Sequence, residues 1–254
     1  MPCLICGAFL FYNISFSFTI KNIMHTGEEL FEKALTYKGL GYVLGVLVPK
    51  DNENYRGNFD CAEFASYVLY QVTGIPYGWA NDKGSPHSAD AYTGFFARDA
   101  EQLGIKISID EAIHTPGAYL LRIGGDGLIG HIVFSDGKGG TMEANSTKYG
   151  LIQSTALGRR WSIGIKVPGV QYTTNEITQS HEQPNIVYVT SPLMSGNEVV
   201  KIQQALLNKG YHIIVDGKYG PATSAIVKTF QIAHQLVADG EVGSQTAAAL
   251  GITL

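Results

Sequence analysis

The chain has 254 residues, 18 Lys+Arg against 22 Asp+Glu, a formal net charge of −4 and only 16% charged residues. The charge is neither basic nor clustered, which excludes a phosphate-backbone footprint and with it a nucleic-acid partner. Hydrophobic residues make up 45%, too many for a disordered chain, and three cysteines, two of them among the first six residues, exclude a disulfide scaffold.

Residues 3–20 carry no charge. No basic residue precedes this apolar run, no small-residue cleavage site follows it, and Asn13, Ser15 and Ser17 interrupt it. Residues 1–23 therefore read as a disordered extension or a cryptic signal. No convincing signal peptide and no membrane partner emerge, and the globular chain is expected to begin at Met24. Cys3 and Cys6 form a C-x-x-C pair, but no second ligand pair follows, so neither a zinc nor a redox role is expected.

From residue 26 to 38, Leu30, Phe31, Ala34 and Leu35 recur at helical spacing, and Gly39, Gly41 and Gly45 end the pattern. Helices are expected again over 60–73 and 89–103. After Pro116 the pattern changes to short strands, at 118–123, 130–135, 140–144 and 161–167. Helices followed by strands predict an α+β domain with an antiparallel sheet. Residues 170–185 are polar and lack apolar periodicity, which marks a linker. It separates a domain at 24–169 from a second one at 186–254.

The second domain is expected to be all-α, with helices over 197–208, 221–235 and 244–250. Asp216-Gly217-Lys218-Tyr219-Gly220-Pro221-Ala222-Thr223 recurs as Asp239-Gly240-Glu241-Val242-Gly243-Ser244-Gln245-Thr246. Each copy reads as a tight turn leading into a helix N-terminus. From Val170 onward there are 4 Lys and 6 Asp+Glu, which argues against a helix-turn-helix reader of nucleic acid.

The chemistry concentrates in two segments. In Asn58-Phe59-Asp60-Cys61-Ala62-Glu63-Phe64, Asp60 is placed as a helix N-cap, with Glu63 as its capping-box partner. Cys61 then becomes the first helical residue, where the helix dipole is expected to lower the thiol pKa. A lone cysteine is more often an inert core residue, so the nucleophile reading needs a partner. Gly130-His131-Ile132-Val133-Phe134-Ser135 and Gly140-Thr141-Met142-Glu143-Ala144 supply one, as two arms of a hairpin closed by a three-residue loop. That loop pairs Ser135 with Gly139 and sets His131 directly opposite Glu143. A carboxylate beside an imidazole orients the ring and favours its protonated form, as in a catalytic triad. The remaining histidines lie in no Cys, Asp or His cluster, so no metal site is expected. The glycine-rich run 123–130 lacks the context and the Lys of a phosphate loop, so no nucleotide cofactor is expected either.

These residues resemble the NlpC-type cysteine peptidases of bacterial cell walls. Asp60-Cys61-Ala62-Glu63-Phe64 resembles the family's nucleophile motif, Gly130-His131-Ile132 its histidine motif, and Glu143 stands at its third polar position. Gly41-Tyr42-Val43-Leu44-Gly45 resembles the tyrosine–glycine segment upstream, and Pro116-Gly117-Ala118 the Pro-Gly turn before the first strand. The likeness spans about 26–168. It departs from the family pattern at Ala62, where Ser is common, at Glu63, where a small Gly is usual, and at Glu143, where His is common. Residues 186–254 resemble the three-helix peptidoglycan-binding module found beside cell-wall hydrolases, through Val199–Leu206, Asp216-Gly217, Gly220-Pro221 and Thr223.

The resemblance implies a papain-like fold, with the Cys-bearing helix packed on an antiparallel sheet. It implies a bacterial or phage peptidoglycan hydrolase, secreted or wall-associated, that needs no cofactor. Cys61 would be the nucleophile, His131 the base, Glu143 its orienter, and Tyr42 and Asp60 would serve the oxyanion and the substrate. The implied activity is a γ-D-glutamyl–diamino-acid endopeptidase. The alternatives are an N-acetylmuramoyl-L-alanine amidase of the same fold class and a non-catalytic wall-binding protein. An immunity protein is a partner if the chain is a secreted toxin.

Overall fold

The computed structural model describes residues 24–80, 84–103, 105–125, 129–176 and 185–254. The segment 1–23, with Cys3 and Cys6, lies outside them, as do residues 126–128 of the glycine-rich run.

In chain order the first unit runs β1 (His25–Thr26), α1 (Gly27–Leu35), α2 (Cys61–Thr73), α3 (Thr93–Leu103), β2 (Lys106–Ile107), α4 (Ile109–Ile113), β3 (Tyr119–Arg122), β4 (His131–Ser135), β5 (Gly140–Ser146), β6 (Gly150–Thr155), β7 (Ile163–Ile165) and β8 (Val170–Gln171). Six of these strands form one sheet in the order β2-β7-β3-β4-β5-β6, antiparallel at every pairing. This is the expected α+β architecture. The two-residue edge strand β2 and the five-residue α4 were not anticipated, because so few residues carry little periodicity; the six-residue β6 at the other edge was missed as well, its polar Gln153, Ser154 and Thr155 leaving only Leu151 and Ile152 as apolar signal.

Alternation along the strands loads both faces of the sheet. Tyr119, Leu121, Ile132, Phe134 and Met142 join the core with α2. Phe64 meets Phe134 edge-on at 5.7 Å, and the Tyr119 hydroxyl donates to the Ala65 carbonyl at 2.9 Å. Leu120 and Val133 point the other way, into a smaller cluster with Ala112, Ile113, Ala156 and Trp161. The sheet is thus clamped between α2 and α4, which fixes where its strand ends emerge.

The segment expected to begin a linker at Val170 is instead tied to the first unit. β8 pairs in parallel with β1. Thr174 and Asn175 bond to Thr115 and to the Gly137 carbonyl. The polar side chains that made this stretch look like a tether are used in these contacts. Residues 177–184 lie outside the described residues.

The second unit holds α5 (Asn197–Asn208), α6 (Pro221–Ala233) and α7 (Ser244–Leu250) around its own core, which includes Ile202, Leu206, Tyr219, Val227, Phe230 and Leu250. The internal repeat is a repeated hydrogen-bond device. Gln203 accepts from Gly217 N and donates to Asp216 Oδ1. Gln231 does the same with Gly240 N and Asp239 Oδ1. Each buried glutamine locks an Asp-Gly turn against its helix.

The two copies differ in what they face. The second is docked on the first unit. Arg160 gives Nε and Nη2 to Glu241 Oε1 at 3.1 and 2.8 Å. Lys148 and Tyr149 both donate to the Ile232 carbonyl. Gly243 lies so close that a Cβ there would sit 1.9 Å from the Gly158 carbonyl oxygen.

Candidate active site

Cys61 is the first residue of α2, as expected. Asp60 caps the helix in an extended conformation. Its Oδ1 accepts from Glu63 N at 2.9 Å and its Oδ2 from Gly45 N at 3.0 Å. The second bond ties the loop after Tyr42 to the helix start. Val43 N donates to the Phe59 carbonyl and Phe59 N to the Gly41 carbonyl, so Tyr42 is strapped alongside Cys61.

Glu63 does not close the expected capping box. Its side chain is fully buried and turns away from the cap. It accepts from Val48 N and Ala91 N, and pairs with the fully buried Lys50 at 2.5 Å. Glu63 therefore pins two loops to α2. This reach explains why a long carboxylate occupies a position where a small residue would leave three donors unsatisfied.

The hairpin register differs from the expected one. Phe134 pairs with Met142 and Ser135 with Thr141, so the loop has five residues rather than three. This is a slip of two residues. Because side chains alternate with period two, such a slip keeps every residue on its face. Glu143 moves from directly opposite His131 to a diagonal neighbour, still within reach of a long side chain. The contact survives: Glu143 Oε2 lies 2.5 Å from His131 Nε2.

Glu143 is held from a second side. Arg159 donates Nη1 to its Oε1 at 2.9 Å and Nη2 to its Oε2 at 3.1 Å, and Thr141 adds a hydroxyl contact. The same guanidinium lies 4.6 Å over the Trp161 ring, against which His131 stacks at 6.3 Å. Arg122 is directly opposite His131 in the β3–β4 register. Sequence reasoning missed Arg159, Trp161 and Arg122. The signal available was the Arg159-Arg160-Trp161 triplet, conspicuous in a chain with so few charges.

The electrostatics depart from expectation twice. Burial pushes the Cys61 thiol up to about 12, and the Asp60 carboxylate adds to this. The N–H groups of Ile132 and Ala62 and the Arg122 charge pull it the other way without prevailing. Burial also lowers the His131 pKa. Glu143 opposes that, while Arg159 and Arg122 reinforce it. The helix dipole and the neighbouring carboxylate were expected to give a thiolate and an imidazolium. Desolvation outweighs both, because each group is almost fully enclosed. Both shifts favour a neutral thiol and a neutral imidazole at rest. Burial works against ionised Glu143 too, but Arg159 and His131 overcome it and hold the carboxyl well below the usual range. Burial raises the Tyr42 pKa, with Cys61 and Asp60 adding to it, and leaves its hydroxyl a neutral donor.

Cys61 Sγ lies 4.0 Å from the carbonyl oxygen of Gly130, the residue before His131. The N–H groups of Ile132 and Ala62 also face the sulfur; among the described residues no hydrogen bond joins the thiol to the ring. The structure thus brings Glu143 and His131 into direct contact and leaves Cys61 one residue away. A cleft of about 270 Å³ reaches His131 but is not lined by Cys61 or Glu143; Tyr42, His131, Arg122 and Asn145 form one side and Lys228 and Asp239 of the second unit the other. No group of three or more His, Cys, Asp or Glu among the described residues could hold a metal ion, and no described helix is long and apolar enough to cross a membrane.

Residues 195–250 match a family model described as "Putative peptidoglycan binding domain". The N-acetylmuramoyl-L-alanine amidase CwlL of Bacillus licheniformis is 41% identical over 90 residues, which is 31% of this chain and 24% of that protein. The chain thus spans about a quarter of the length of this curated relative. Among solved structures, the NlpC/p60 domain of the peptidoglycan hydrolase SagA is similar over 56% of this chain and 99% of its own, at 23% identity and a TM-score of 0.39. A fused Zn-dependent amidase/peptidase/peptidoglycan-binding protein from Clostridium acetobutylicum is 39% identical over 28% of this chain and 31% of its own, at a TM-score of 0.25.

Proposed function

We propose that the chain is a wall-associated peptidoglycan hydrolase that cuts a stem-peptide amide with Cys61 as nucleophile. The observation that carries this reading is the buried Arg159–Glu143–His131 chain beside a helix-tip cysteine. It fixes one nitrogen of the ring and leaves Nδ1 as the base. Supporting it is the match of residues 195–250 to a peptidoglycan-binding family.

The proposed reaction starts from neutral partners. Substrate binding brings the thiol and Nδ1 together; such contacts are often long before substrate arrives. Sγ attacks the carbonyl carbon as its proton passes to Nδ1. The oxyanion meets the backbone N–H of Cys61 at the helix start, with the Tyr42 hydroxyl as a second donor. The imidazolium, stabilised by Glu143, returns the proton to the leaving amine. The C–N bond breaks and a thioester remains. Water then adds to the thioester as His131 takes its proton, the C–S bond breaks to release the carboxylic acid, and His131 returns the proton to Sγ, restoring the neutral pair. Asp60 positions the helix tip and lines the approach. The second unit holds the enzyme on its polymer and raises the local substrate concentration.

The bond proposed is γ-D-glutamyl–diamino acid. The amide between muramic acid and L-alanine is the second reading, favoured by the similarity to an N-acetylmuramoyl-L-alanine amidase. Digestion of defined muropeptides, read by mass spectrometry, separates them: the first yields L-alanyl-γ-D-glutamate termini, the second frees the whole stem from the glycan. Binding to walls without release of either product refutes both and leaves a non-catalytic wall-binding protein.

A further inference from the structure

Arg122 is buried at the cleft wall, only 8% exposed. Its Nε makes no hydrogen bond among the described residues. Its Nη1 lies 3.5 Å from Oδ2 of Asp239, which comes from the second unit. A guanidinium carries five donors in a planar fork. Burying one with a single long contact is costly, so its fork is under-used at the cleft wall beside His131, close enough for its charge to act on Cys61.

Asp239 does not need Arg122. Its Oδ1 is already engaged by Gln231 Nε2 and by Glu241 N. The other copy of the repeat proves the point: Asp216 makes the same two bonds, to Gln203 Nε2 and Lys218 N, with no arginine involved. Asp239 Oδ2 is therefore a carboxylate oxygen that happens to reach Arg122. It shows that a carboxylate fits there, at a distance well outside the range of a charge-assisted hydrogen bond.

We infer that Arg122 is a specificity-determining residue that binds a free carboxylate of the substrate beside the scissile bond, in the place Asp239 now approaches. This rests on the proposed stem-peptide hydrolysis and says which stem peptide is preferred. In a γ-linked glutamyl residue the α-carboxylate is free and lies only a few bonds from the γ-carbonyl that Cys61 attacks. A bidentate pair between that carboxylate and Arg122 satisfies the idle donors and displaces Asp239. A stem whose glutamyl α-carboxylate is amidated offers the fork no anion.

The test uses the full chain and two synthetic tripeptides, L-alanyl-γ-D-glutamyl-diamino acid and its glutamyl α-carboxamide. Binding is measured with Cys61→Ala, and hydrolysis with the wild type. The acid is expected to bind at least about tenfold tighter than the amide, the scale of a hydrogen bond to a charged group. Arg122→Met should collapse that ratio towards one, Arg122→Lys should keep part of it, and Asp239→Asn should tighten binding of the acid without changing that of the amide. Equal affinity for the two peptides in the Cys61→Ala protein overturns the inference. So does an acid-to-amide ratio that Arg122→Met leaves intact. Absent hydrolysis with preserved discrimination would sink the proposed function and leave the Arg122 assignment standing. Hydrolysis without discrimination would do the reverse.

Discussion

Replacing Arg159 by Met should destabilise the protein and shift the acid limb of its activity profile upward. Two guanidinium nitrogens hold Glu143 at 2.9 and 3.1 Å, and both side chains are buried. Removing one partner of such a pair leaves an uncompensated buried charge and typically costs about 3–5 kcal/mol. Glu143 keeps His131 and Thr141, so the lower end, about 3 kcal/mol, is the expected loss. The proton effect follows from charge. Arg159 depresses the His131 pKa; without it the ring takes a proton more readily, and the base is lost at higher pH. Glu143→Gln removes the group that raises the His131 pKa, so its acid limb should move the opposite way. Urea unfolding followed by circular dichroism measures the first effect, and kcat/KM against pH on a defined muropeptide measures the second. Acid limbs that move in the same direction in the two variants would refute this account of the site. So would an Arg159→Met protein within about 0.5 kcal/mol of wild type, the ordinary range for a surface change.

Three further outcomes follow from the same structure. Glu63→Gln removes the charge that compensates the fully buried Lys50 ammonium and keeps only one acceptor oxygen, so one of the two loops loses its tie; a loss of about 3–5 kcal/mol by urea unfolding is expected, partly recovered by adding Lys50→Met. Gly243→Ala places a methyl 1.9 Å from the Gly158 carbonyl oxygen, so the two units should separate at that edge; small-angle scattering should show a larger radius of gyration, and an unchanged one would contradict the docking. Stability should fall as pH drops below the ordinary histidine range of about 6.5, because the unfolded ring takes up a proton that buried His131 resists. Glu143 adds to the fall below about 4.5, where its unfolded carboxyl takes up a proton that the folded one, held low, does not; Asp60 and Glu63, which burial raises, act in the opposite sense there. Thermal melts from pH 8 to 3 test this sign, and a melting temperature that rises on acidification would contradict it.

The helix-tip cysteine, the strand-borne histidine and the carboxylate twelve residues later were legible because each depends on local chemistry: a cap, an alternation, a turn. The His131–Glu143 contact outlived a wrong loop length because faces repeat every second residue. What escaped the sequence was everything set by three-dimensional enclosure. Glu63 fits a capping box by spacing alone, yet burial against Lys50 gives it a different task. Cys61 has the right place for a lowered pKa, yet the core around it decides the opposite. Arg122 and Arg159 sit on or beside strands far along the chain, and nothing local signals that they converge on His131. The Asp-Gly repeat was visible; the glutamines behind it and the docking of only its second copy were not, since identical motifs carry no information about which one faces a neighbour.

The most direct test of Cys61 as nucleophile is to quench a reaction with a γ-D-glutamyl stem peptide in acid and weigh the intact protein. The account predicts a mass increase equal to the L-alanyl-γ-D-glutamyl acyl group, mapped to Cys61 by peptide analysis and absent from Cys61→Ala, which should also release no product. Undiminished cleavage by Cys61→Ala would contradict it outright.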